Sequence, residues 1–163
     1  MENKFEYEKK EFDIQITDTK IKPKGSLKFY GVPKDAYKIY IVKDEHNFLY
    51  IGITKMYLSS RFTLGFNATI EVGNNGYHGY KWINECREKT LKLIVISFPN
   101  MTAADDRNYV ETIEAELVYQ VRKEFGRWCE YQNEIHFYNK GDEIIRLSEK
   151  IFSEIHKKEV ANA

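Results

Sequence analysis

Tyr40 and Tyr50 stand in two β-rich runs, residues 37–43 (YKIYIVK) and 47–53 (NFLYIGI), separated by Asp44, Glu45 and His46. Two such runs joined by a short polar segment predict a hairpin. Its register follows from burial. Ile39, Ile41, Leu49, Ile51 and Ile53 all occupy odd positions. Cross-strand partners share a face, so an even-length loop would separate the aliphatics of the two strands. A three-residue loop at 44–46 keeps them together, pairing 43 with 47 and 41 with 49. Tyr40 then faces Tyr50 directly, on the side that also carries Lys38, Val42, Phe48 and Gly52. A phenol can give or take a proton; two side by side also make an ordinary aromatic cross-strand pair, worth a few tenths to about 1 kcal/mol.

A second residue out of place by type is Glu114. On a helical wheel Tyr109, Val110, Ile113, Leu117, Val121 and Phe125 form one apolar stripe, and Glu114 falls inside it between Val110 and Leu117. Glu111 lies at the edge of that stripe and Glu116 well outside it. A carboxylate on a core-facing stripe is costly unless it is paired with a cation, bound to a metal or open to a cleft.

The elements that must hold these residues are readable at coarse grain. With 163 residues, 42% of them hydrophobic and 15% aromatic, the chain can bury one core, which points to a single compact unit. Phe12, Ile14 and Ile16 alternate with polar neighbours and predict a short strand in an N-terminal extension, residues 1–35, whose Pro23, Gly25, Gly31 and Pro33 read as connection. Short helices are expected over 56–64 and about 79–88, flanking a glycine-rich loop at 73–79. LKLIVISF at 91–98 predicts a strand buried in the middle of a sheet. Thr102 is a candidate N-cap for a long helix through about Glu124, which Gly126 would end. Residues 142–158 predict a final helix with Ile144, Ile145, Leu147, Ile151, Phe152 and Ile155 on its apolar side.

The charges set bounds on partners and location. Twenty-five Lys+Arg balance 25 Asp+Glu, so the net charge gives no footprint for a polyanion, although a local basic surface would suffice. Cys86 and Cys129 have no zinc-type spacing and read as small buried thiols. No run approaches the roughly 20 apolar residues of a membrane span, and MENKFEYEKKEF lacks a signal peptide's apolar core, so a cytoplasmic location without membrane contact is expected. Trp82 and Trp128 read as core residues.

Taken together, KIY at 38–40, YIG at 50–52, Arg61 in the next helix and Glu114 in a later one resemble the GIY-YIG nuclease family, over about residues 36–139. ETIEAELVYQVRKEFG at 111–126 resembles the block in which that family's metal-binding glutamate precedes a small residue and Leu-Val, and this alignment selects Glu114, as the wheel did. The resemblance implies an α+β fold, a small central antiparallel three-stranded sheet flanked by helices, here with an extra N-terminal strand and a C-terminal helix, residues 140–163, packed on the same domain. It implies hydrolysis of duplex DNA phosphodiesters with one Mg²⁺ or Mn²⁺. The N-terminal extension and final helix would then supply groove contacts or a homodimer surface.

In that reading Tyr40 is the base and Tyr50 positions the water or phosphate. A free phenol has a pKa near 10 and needs nearby positive charge to act near neutrality. Arg61 would hold non-bridging oxygens through its planar fork, and Glu114 would hold the cation. The signature's first glycine is Lys38 here. Gly65 stands where the family often has a histidine or tyrosine, a place that His78 or Tyr77 could fill. Asn133, His136 and Asn139 compete for the late asparagine or phosphate-ligand position, and Lys55 is a further phosphate contact. The departures keep open a catalytically weak or inactive module of the same fold that binds nucleic acid or another protein.

Overall fold

The structure is a computed structural model that describes residues 3–17, 20–71, 81–130 and 141–156. Five strands form one antiparallel sheet: β1 (Glu8–Ile16), β2 (Ile21–Pro23), β3 (Tyr37–Lys43), β4 (Phe48–Thr54) and β5 (Thr90–Phe98), in the spatial order β2-β1-β5-β3-β4. The helices are α1 (Leu58–Glu71), α2 (Lys81–Glu85), α3 (Arg107–Phe125), which follows a 3₁₀ turn at Ala104–Asp106, and α4 (Asp142–Ile155).

In place of the expected central sheet of three strands the structure has a sheet of five, in which β5, β3 and β4 are neighbours at one side. The N-terminal strand is longer than its alternating pattern suggested and pairs with β5 from Glu8↔Ser97 to Gln15↔Thr90. Among the described residues only Ile14, Gln15 and Ile16 are paired on its other side, by the short β2. The charged residues Glu8 to Glu11 therefore lie along an open edge, where charge blunts further strand pairing, and they hide the strand's periodicity.

Each face of the sheet carries its own core. One packs Tyr40, Val42, Leu49, Tyr50, Leu93 and Val95 against α1, α2 and the Phe29–Val32 segment. The other packs Ile39, Ile41, Phe48, Ile51, Ile94 and Ile96 against α3 and α4. β5 is buried on both sides, as a central apolar strand should be. Residues preceding β1 fasten the second layer: the Tyr7 hydroxyl donates to Glu154 at 2.8 Å, Phe5 meets Tyr109 edge-on at 5.6 Å, and Lys4 pairs with the buried Asp106 at 2.5 Å.

Some boundaries differ from expectation for local reasons. α3 starts at Arg107 rather than near Thr102, because the 3₁₀ turn at Ala104–Asp106 comes first; within that turn the Asp106 carboxylate accepts the Ala103 N–H at 3.0 Å, and it gives α3 no side-chain cap. It ends at Gly126, as expected: φ is 71° and the glycine N–H donates to the Arg122 carbonyl at 2.8 Å. Ile145 is exposed on α4, whereas Ile144, Ile151, Phe152 and Ile155 are buried.

Candidate active site

The hairpin keeps the predicted parity but shifts its register. Tyr40 lies opposite Gly52, and Tyr50 opposite Val42, so the two tyrosines are diagonal rather than direct partners. The loop is four residues long, closed by Asp44, whose carboxylate accepts the N–H groups of His46 at 2.9 Å and Asn47 at 2.7 Å. A bulge between Val42 and Lys43 compensates for the extra residue. Beyond the bulge the faces exchange: Phe48 joins the α3 side and Leu49 the tyrosine side, the reverse of the simple alternation.

Gly52 is what allows the two rings to meet. Their centroids are 5.9 Å apart, with planes inclined at 42°. The tip of Tyr40 lies over Gly52; a methyl group there would stand 2.5 Å from Tyr40 Cζ and Oη and 2.7 Å from Tyr50 Cε1. Phe62 of α1 closes over Tyr40 edge-on at 5.5 Å. Both tyrosines are buried, at 2% and 7% exposure.

Arg61, next to Phe62 at the start of α1, is half-buried and belongs to this same layer. Gly65, one turn further, is buried and offers no side chain at the helper position. Lys55 is exposed just after β4, its ammonium 5.8 Å from the Tyr37 ring centroid. Glu114 is half-buried within the buried stripe of α3, and its charge helps raise the Cys129 thiol, whose pKa burial pushes up to about 12. It approaches from the layer opposite α1. The described contacts thus join Tyr40, Tyr50 and Gly52 to α1, whereas Glu114 belongs to the helix packed on the other face of the sheet and is not brought among them. His78, Asn133, His136 and Asn139 lie outside the described residues, as does Tyr77.

Lys38, which stands at the signature's first glycine, has its side chain fully buried on the tyrosine face. Its ammonium donates to the carbonyls of Ala36 at 2.7 Å and Lys55 at 3.3 Å. It stands in a buried polar row with Ser97 on β5 and Thr54 on β4, one step along the sheet from Tyr40 and Gly52. Burial lowers its pKa to about 8, against a smaller opposing effect of Asp35. The signal for it was in the parity, since Lys38 shares a face with Tyr40 and Val42. Trp82 is core, whereas Trp128 is 39% exposed and lies under the Arg122 guanidinium, 4.5 Å from its ring centroid.

The class defined by this architecture is an α+β domain, an antiparallel sheet between two helical layers. Comparison with protein-family models, with curated proteins and with solved structures finds no match. Among the described residues no helix is long and apolar enough to cross a membrane.

Proposed function

We propose that the chain is a GIY-YIG-type endonuclease that hydrolyses DNA phosphodiester bonds with one divalent cation. The observation carrying this reading is the tyrosine pair locked over Gly52 against the helix of Arg61. An aromatic pair can sit opposite many residues; here the register sets a glycine under the phenol, so the hydroxyl reaches toward the outer strand instead of stopping over a side chain. Tyr40 accepts the proton of the attacking water, Tyr50 orients it, and Arg61 binds non-bridging phosphate oxygens. Lys55, exposed at the end of β4, contacts a neighbouring phosphate.

The proposed protein ligand is Glu114, half-buried on the apolar stripe of α3; among the described residues no group of three or more His, Cys, Asp or Glu is placed to hold a metal ion. That donor set suits Mg²⁺ or Mn²⁺, hard ions satisfied by one or two carboxylates, several waters and substrate oxygens. When bound, the cation supplies charge relief at the phosphoryl oxygens.

The test is cleavage of supercoiled plasmid in Mg²⁺ or Mn²⁺. Tyr40→Phe and Glu114→Ala are each expected to lose at least a hundredfold in rate while retaining the wild-type melting profile. Undiminished cleavage by Glu114→Ala would remove its metal role. Two observations favour a second reading, a nucleic-acid-binding module with little or no catalysis: Gly65 leaves α1 without a helper side chain, and Tyr40 is 2% exposed. Duplex binding by a protein that never nicks the plasmid would select it.

A further inference from the structure

At the hairpin tip, on the sheet face opposite the tyrosines, is a cavity of about 280 Å³. Phe48 forms its buried floor, and Phe125 and Trp128 line it while remaining 37% and 39% exposed. Asn47, Arg127 and Glu130 bring polar groups to it, with the Arg127 guanidinium donating to the Asn47 side-chain carbonyl. The rings are packed at an angle and not stacked: Phe48 and Phe125 are 5.8 Å apart and inclined at 54°, His156 packs against both, and Phe125 and Trp128 keep exposed surface in the cavity lining.

Cations surround these rings although the chain has no net charge. The Lys43 ammonium stands 4.5 Å from the Phe48 centroid, and the Arg122 guanidinium 4.5 Å from that of Trp128. Lys92 is the cross-strand neighbour of Lys43, and Lys123 follows Arg122 in the last turn of α3. Burial lowers the pKa of Lys43 and the Lys92 charge lowers it further, while the Glu11 and Asp44 carboxylates oppose that shift. Aromatic faces with interleaved cations are the pattern on which proteins stack single bases while tracking a phosphate chain. An aliphatic peptide side chain would use the rings but not the cations.

We propose that this cavity takes one unstacked nucleobase of a DNA strand, with Arg122, Arg127 and Lys43 on the adjoining phosphates. The inference rests on the chain's acting on DNA. Along α3 the cavity wall at Val121 is seven residues beyond Glu114, about 10 Å at 1.5 Å per residue. A DNA strand running along α3, at about 3.4 Å per nucleotide, would put the captured base about three nucleotides from the proposed scissile phosphate. An enzyme built this way prefers DNA with an unpaired or easily unpaired base at that spacing.

The experiment uses Trp128 as its own reporter, because the other tryptophan, Trp82, is 1% exposed. The full chain is titrated in EDTA, where no cleavage occurs, with a thymine oligonucleotide, a perfect duplex and a duplex carrying one unpaired base. Fluorescence should be quenched to saturation by the single strand and by the duplex with the unpaired base, and at least fivefold more weakly by the perfect duplex. Trp128→Phe should abolish the signal, and Phe125→Ala and Arg127→Ala should each weaken binding at least fivefold with an unchanged circular dichroism spectrum. Unchanged affinity in those two variants, equal response to all three DNAs, or quenching by an aromatic peptide but by no DNA would overturn the proposal. Base capture is read in EDTA and cleavage in Mg²⁺, so loss of cleavage and loss of base capture are separate results.

Discussion

Gly52 and Lys38 show how much a single position decides here. Replacing Gly52 with alanine puts a methyl group 2.5 Å from the Tyr40 ring tip, which is held by Tyr50 and Phe62 and cannot swing away cheaply. Overpacking of this kind costs about 1–3 kcal/mol. Tyr40→Leu should recover part of that loss in the Gly52→Ala background, and a double-mutant cycle read by urea denaturation should give a coupling of at least about 1 kcal/mol. Strict additivity would mean that the two side chains do not compete for the same space. At Lys38 the charge itself is the cost. Its pKa falls from 10.5 to about 8 on folding, so between those values the unfolded chain holds more protons and raising the pH favours the native state. The penalty is complete below about pH 8 and gone above 10.5, a difference of about 3 kcal/mol. Cys86 and Cys129, raised by burial, act in the opposite direction, but equally in wild type and Lys38→Met. The stability of wild type relative to Lys38→Met should therefore rise between pH 7.5 and pH 10, as compared from urea midpoints; a constant difference would place the ammonium in water.

The elements explain what the sequence could and could not reveal. Parity of the aliphatics placed Tyr40 and Tyr50 on one face, and the bulge preserved that result while moving the register by two residues. A bulge leaves little mark in a sequence, because it is fixed by loop length and the Asp44 turn, not by residue type. The wheel of α3 put Glu114 on the buried stripe, where it is half-buried, but misread Phe125, which the stripe would bury and which is instead 37% exposed as the last residue of the helix. Trp128 was misread because hydrophobicity alone does not say where a residue beyond a helix end will lie; it follows the Gly126 cap and is 39% exposed under Arg122. Gly126 tests the end of α3 directly. It is left-handed at φ 71°, and an added methyl group would meet nothing within 4 Å. Gly126→Ala should thus cost about 1–2 kcal/mol of backbone strain alone, seen as a lower denaturation midpoint with unchanged m-value. A neutral result would show that the helix ends without this cap.

For the whole molecule the question is whether two helical layers on one sheet behave as one cooperative unit. β3 and β5 send alternate side chains into both cores, so neither layer can detach without exposing the apolar surface of strands the other still needs. The two buried free thiols report on the layers separately, Cys86 among the residues packed with α1 and α2 and Cys129 among those packed with α3 and α4. Burial raises both thiol pKa values, Cys129 to about 12, so at pH 8 the native thiols are almost wholly protonated as well as inaccessible. Reaction with a disulfide reagent then requires opening, and when reclosing outpaces the reagent its rate reports the opening free energy. If the shared strands couple the layers, Cys86→Ser and Cys129→Ser variants should label their remaining thiol with the same steep dependence on urea, matching global unfolding. A Cys86 that labels many times faster, with little urea dependence, would show that the α1 layer opens by itself. The tyrosine face would then be accessible through an opening local to that layer, and the 2% exposure of Tyr40 would describe only its closed state.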